Sequence, residues 1–120
     1  MTRWVVDGMN LIGSRPDGWW RDRPRAMSEL VEELKALGEP VTVIFDGRPF
    51  ELEDTGPVEV LFASRRGRNA ADDDIAALVA RAEAPEGWRV VTSDRELGER
   101  VREQGAEVVG VAAFREQLEQ

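Results

Sequence analysis

A three-layer α/β/α domain on a parallel sheet of five strands is the fold class the sequence predicts, and three observations predict it. Short apolar runs rich in valine, such as "WVV" at 4–6, "VTVIF" at 41–45 and "RVVT" at 89–92, recur along the chain. Between them lie segments with apolar residues at three- and four-residue steps, the period of an amphipathic helix. Strand and helix then alternate throughout. Strands separated by helices pair in parallel through right-handed crossovers, which places helices on both faces of the sheet.

Residues 3–7 read as the first strand. From Gly8 to Asp22 the chain reads as a Gly/Pro-rich loop carrying Trp19 and Trp20. At least one of these tryptophans is expected to pack on the core, because two adjacent exposed indoles are a costly surface; the competing reading is that they stack on unpaired bases. A helix follows with Pro24 in its first turn and Met27, Leu30, Val31, Leu34 and Leu37 on one face, ended by Gly38 and Pro40. The second strand, 41–45, ends at Asp46, and the irregular "GRPFELEDTGP" leads to a third strand at 58–63. After the loop "SRRGRNA" comes a helix with the stripe Ile75, Leu78, Val79 and Ala82. The fourth strand is 88–92. Ser93 with Glu96 reads as a capping box for a helix at 94–104 that Gly105 ends. A fifth strand at 107–111 and a terminal helix at 113–118 complete a chain read as one domain over 1–120, without repeat, low-complexity tract or linker.

Composition narrows the chemistry. At 120 residues, 42% hydrophobic and 33% charged, the chain is long enough and apolar enough to bury a core without staples. Cysteine and histidine are both absent. Their absence excludes disulfides, thiolate nucleophiles, the Ser-His-Asp arrangement and every imidazole or thiolate metal ligand. No apolar run approaches the roughly 20 residues of a membrane helix and the N-terminus has no signal-peptide pattern, so the expected location is cytoplasmic, away from the membrane. A net charge of −8 argues against a polyanionic partner unless the positive charge is clustered, and it is. Arginines group at 21, 23 and 25 and at 65, 66 and 68, while the sole lysine is Lys35.

In a parallel α/β sheet the C-terminal ends of the strands share one edge, where ligands bind. Asp7 ends the first strand, Asp46 the second, and Asp94 follows the fourth as "VVTSD". Asp72, Asp73 and Asp74 occupy the first turn of the helix that starts from that edge. Each acid has a local account: Asp7 and Asp46 as Asp-Gly turns, the others as favourable charge at a helix N-terminus. Their convergence from four chain segments is not explained that way. Clustered carboxylates repel unless some protonate or a cation neutralises them, and oxygen ligands without His or Cys suit Mg²⁺ or Mn²⁺. Such ions activate water and clamp phosphoryl oxygens, which also dispenses with histidine and points to phosphodiester chemistry.

The ordered set "VVDGMNLIG", "VTVIFDGRP", "NAADDDIAALV" and "VVTSDREL" resembles the NYN domain of the PIN-like nuclease superfamily, most closely its YacP-like branch, over residues 3 to about 116. The D-x-x-N of Asp7 and Asn10, the A-D-x-x-I of Ala71, Asp72 and Ile75, and the T-S-D of 92–94 carry it. The resemblance implies a sheet ordered 3-2-1-4-5, a divalent metal at the strand ends and a metal-dependent endoribonuclease. It implies Asp7, Asp72 and Asp94 as metal ligands and catalytic residues. Asn10 would hold the Asp7 loop or touch the scissile phosphate, and Thr92 and Ser93 would orient Asp94. Asp46 matches a less uniform acid, for which a structural role stands beside a metal-binding one. Helical geometry sets Asp72 nearer the apolar stripe and the sheet edge, points Asp73 to solvent and leaves Asp74 a weak candidate.

The loop arginines Arg65, Arg66 and Arg68, with Arg48, are as a group candidates to hold RNA phosphates; any one of them alone reads rather as part of a solvated connection. Other phosphate-handling folds fit less well. Met9 stands where a haloacid-dehalogenase-like phosphatase has its second acid, no lysine follows the late strands as in a receiver domain, and "DGMNLIGSRPDG" lacks the dinucleotide fingerprint. The alternative of a different class is an RNA- or ribosome-associated binding module with this fold and little intrinsic cleavage. Single-stranded RNA is the expected partner in either case.

Overall fold

The computed structural model describes residues 3–15, 17–47, 49, 51–52, 54–64 and 70–119. Within them, β1 (Arg3–Asp7), β2 (Val41–Phe45), β3 (Val58–Phe62), β4 (Trp88–Val91) and β5 (Glu107–Val109) form one sheet in the order β3-β2-β1-β4-β5. Every neighbouring pair is parallel. All five residues of β2 are buried, as are four of the five in β1, as expected of central strands covered on both faces.

Alternation along the strands divides the core in two. Trp4, Val6, Val43 and Phe45 face Leu11, Leu30, Leu34 and Phe114 on one side. Val5, Ile44 and Val90 face Ile75, Val79, Leu97 and Val101 on the other. The first group comes from helices α1 (Gly8–Gly13), α2 (Arg23–Lys35) and α5 (Val111–Glu119), the second from α3 (Ala70–Ala80) and α4 (Arg95–Glu103). Among the described residues no helix is long and apolar enough to cross a membrane.

Three expectations about local structure are corrected. The segment after β1 is not all loop, since residues 8–13 form α1, with Asp7 as its N-cap. A helix this short shows too little of the 3.6-residue period to be read from sequence, and its two glycines argue against it. Gly8 is required by packing: a Cβ there would run into the ring of the buried Phe45. Second, Ser93 and Glu96 do not box the start of α4. Asp94 is the N-cap, its Oδ1 accepting the Leu97 N–H at 2.8 Å. Ser93 Oγ instead accepts the N–H of Val111 at 3.1 Å, which satisfies the first turn of α5 and starts that helix two residues earlier than its periodicity suggests.

Candidate active site

The parallel register sets the ends of three central strands at one edge. Val6 of β1 lies opposite Val43 of β2 and Val91 of β4, so the residues that follow emerge side by side. Asp7 closes β1, Asp46 follows Phe45, and Thr92–Ser93–Asp94 lead from β4 into α4. From across the edge, α3 presents Asp72 in its first turn. Asp7, Asp46, Asp72 and Asp94, with Met9, Asn10 and Ala71, line a single solvent-open cavity of about 280 Å³.

Two of the acids have a local role as helix N-caps, Asp7 in place of the expected Asp-Gly turn, and still converge. Asp7 Oδ1 accepts the Asn10 N–H at 3.4 Å, and Asp94 caps α4. Because caps point into the N-terminal opening of a helix, capping itself aims these carboxylates at the sheet edge. The side chain of Asn10 bridges two loops. Its Oδ1 accepts the N–H of Ser93 at 3.0 Å, tying the loop after β1 to the loop after β4. Thr92, 1% exposed, accepts the Asp94 N–H on its hydroxyl at 3.1 Å and so orients that residue. Ser93 contributes through its backbone to Asn10 and through its hydroxyl to α5.

The remaining acids of α3 have structural partners. Asp73 is half-exposed, as its outward position predicts, and is also paired: Arg100 of α4 donates to it at 2.9 Å, bridging the two helices on that face of the sheet. Asp74 accepts the backbone N–H and hydroxyl of Ser64 at 2.6 and 2.8 Å, closing the connection from β3. Arg100 is the participant that sequence reading missed. It stands 27 positions from Asp73, and an arginine in the last turn of a helix looks like an ordinary dipole partner. Arg48, Arg65, Arg66 and Arg68 lie outside the described residues.

Electrostatics follow from the crowding. Asp7 is only 5% exposed, and its carboxyl is pushed up from 3.8 to about 7. Desolvation is the main cause, followed by the charge of Asp72; the N–H of Asn10 opposes the rise, and Asp46 and Asp94 add to it. Asp72 is raised too, first by burial and then by Asp94, Asp46 and Asp73, with Arg100 pulling it down. Among the described residues no three acidic side chains are gathered closely enough to hold one ion directly between them. The donors are nonetheless all carboxylate oxygens, a set that suits a hard cation keeping several of its own waters.

Comparison with known proteins identifies the family and the fold. The profile of the YacP-like NYN domain matches residues 4–120. The crystal structure of Rae1 (YacP) from Bacillus subtilis superposes with a TM-score of 0.81 at 26% identity, covering 99% of this chain and 74% of that one. A tryptophan-to-leucine variant of the same protein gives a TM-score of 0.81 at 25% identity, over 99% of this chain and 76% of that one. Among curated proteins none matches the chain. The chain belongs to the YacP-like NYN domain family, within the PIN-like nuclease superfamily.

Proposed function

We propose that the chain is a divalent-metal-dependent endoribonuclease, a hydrolase acting on phosphodiester bonds of single-stranded RNA at the cavity ringed by Asp7, Asp46, Asp72 and Asp94. One observation carries the reading: four chain segments bring carboxylates to one open cavity, where burial and then their mutual repulsion hold Asp7 at about 7. An arrangement that costs stability in the apo chain has a purpose if a cation completes it. Asp7, Asp72 and Asp94 would hold Mg²⁺ or Mn²⁺, in part through water, with Asp46 at the rim. When bound, such an ion supplies an activated water and charge stabilisation for the phosphoryl oxygens. The chain's own residues do the rest. Asn10 and Thr92 fix the loops that carry Asp7 and Asp94. Asp7 would have to release its proton for a cation to be held there, and Arg100 moderates the charge of Asp72. Arg65, Arg66, Arg68 and Arg48 are proposed to hold flanking phosphates. That role rests on sequence adjacency, since residues 65–69 immediately precede the helix bearing Asp72 and residue 48 follows Asp46 by two positions. The reading places the protein in the cytoplasm.

The second reading, an RNA- or ribosome-associated module with little cleavage, draws on the spacing of the acids, which does not form a ready three-carboxylate ligand set. A labelled single-stranded oligoribonucleotide incubated with Mn²⁺, Mg²⁺ or EDTA separates the two. Metal-dependent turnover that falls at least about 100-fold in both Asp7→Asn and Asp94→Asn supports the nuclease. RNA binding without cleavage in either metal supports the module, and cleavage that persists in EDTA or in both variants overturns the assignment of the site.

A further inference from the structure

Trp20 is 60% exposed and is the one large hydrophobic side chain left open among the described residues. Its neighbour Trp19 packs against the core. The exposure is built into the local structure. Gly18, at φ +72°, turns the chain in a conformation that favours glycine, and Asp17 accepts the Trp19 N–H at 3.2 Å. A single 3₁₀ turn, Trp19–Arg21, then sets the two indoles at 88° with centroids 6.1 Å apart. The Arg21 guanidinium lies 5.7 Å from the centroid of the Trp20 ring.

Position, charge and chemistry agree on what this surface meets. Trp19 sits 3.9 Å from where a Cβ of Gly13 would lie, at the far end of the helix whose Met9 and Asn10 line the acidic cavity. On the other flank, Nη2 of Arg23 comes within 3.5 Å of the Cβ position of Gly47, the residue after Asp46. Residues 17–23 therefore border the same edge of the sheet as the acids. Arg25 is paired with Glu29 at 3.0 Å, whereas Arg21 and Arg23 have no carboxylate partner among the described residues, in a chain of net charge −8. An apolar protein partner covering Trp20 would strip water from an unpaired guanidinium on its ring, an unfavourable desolvation. A nucleotide offers a π-face to the indole and phosphate oxygens to the arginines.

We propose that Trp20, Arg21 and Arg23 form a platform on which an unpaired base of the RNA strand stacks, with its flanking phosphates on the two guanidinium groups, while the scissile bond lies in the acidic cavity. The proposal rests on the ribonuclease reading of that cavity and adds a second point of contact to it.

The test measures binding of a labelled single-stranded oligoadenylate in EDTA and its cleavage in Mn²⁺, for the wild type and for Trp20→Ala, Trp20→Phe, Trp20→Leu and Arg23→Gln. Loss of one base stack should weaken binding about 5- to 150-fold in Trp20→Ala, with Trp20→Phe retaining most of it and Trp20→Leu little. The cleavage defect should fall on KM far more than on kcat, and Arg23→Gln should lower the salt slope of binding by about one. Wild-type cleavage with unchanged binding in Trp20→Ala would overturn the platform and leave the nuclease standing. Equal binding by Trp20→Leu and Trp20→Phe would overturn stacking in favour of simple apolar contact. A wild type that neither binds nor cleaves the RNA would remove the ribonuclease reading, and the platform with it.

Discussion

Replacing Asp7 with asparagine separates charge from geometry, because asparagine caps a helix as well as aspartate does and keeps the oxygen that accepts the Asn10 N–H. The folded-state carboxyl sits at about 7 against an ordinary 3.8, so between those values the folded chain holds a proton that the unfolded chain has released. By linkage its contribution to stability is complete below about pH 4 and is lost as pH rises towards and through 7. At about 1.36 kcal/mol per pH unit, the ionised Asp7 costs roughly 4 kcal/mol above pH 8. Urea denaturation followed by circular dichroism in EDTA, from pH 4 to pH 8, should therefore show wild-type stability falling with pH and a much flatter curve for Asp7→Asn. The two should coincide near pH 4, with the variant more stable by up to roughly 4 kcal/mol at pH 8. Mg²⁺ should then raise the wild type alone, by about 2.7 kcal/mol at a hundred times its dissociation constant. If Asp7 is only a cap, the two proteins are equally stable: no advantage at pH 8 and no differential response to Mg²⁺ would refute the reasoning.

Other outcomes follow from the same geometry. Asp94→Ala should cost about 0.5–2 kcal/mol by removing the cap of α4, whereas Asp94→Asn should not, while both abolish metal-dependent cleavage; thermal melts beside the activity assay check the split. Gly8→Ala should destabilise by roughly 1–3 kcal/mol despite alanine's helix propensity, since the added methyl meets the ring of the buried Phe45, and a urea midpoint measures it. Affinity for Mn²⁺, followed by calorimetry, should rise as pH increases through about 7, with a proton released on binding. A pH-independent affinity would take Asp7 out of the ligand set. The triple variant Arg65→Ala/Arg66→Ala/Arg68→Ala should lower the salt slope of RNA binding by about three if each arginine holds one phosphate.

The layered fold was legible because every central strand is a valine-rich run and α2 and α3 carry clear apolar stripes. The parallel edge rule carries Asp7, Asp46, Asp72 and Asp94 to one side from sequence alone, and they line one cavity. What sequence hid was local or distant. Helix α1 spans six residues, too few for periodicity, and starts at a glycine whose reason is the ring of Phe45. Ser93 mimics a cap so well that its bond to Val111, 18 positions on, had no signal. The Asn10–Ser93 bond spans 83 positions, and the Arg100–Asp73 pair 27. The partner of Asp73 was hidden for that reason, since helical geometry gives a side chain's direction and not what stands opposite. Trp19 and Trp20 followed the expectation that at least one indole would pack: Trp19 is against the core and Trp20 is open.

The central claim is that the acidic cavity takes a divalent ion, and anomalous diffraction from crystals soaked in Mn²⁺ tests it most directly. The account predicts a manganese peak inside the cavity, within direct or one-water reach of the carboxylates of Asp7, Asp72 and Asp94, which disappears in Asp7→Asn. A cavity without a peak at saturating Mn²⁺, or a peak that persists unchanged in that variant, would contradict it.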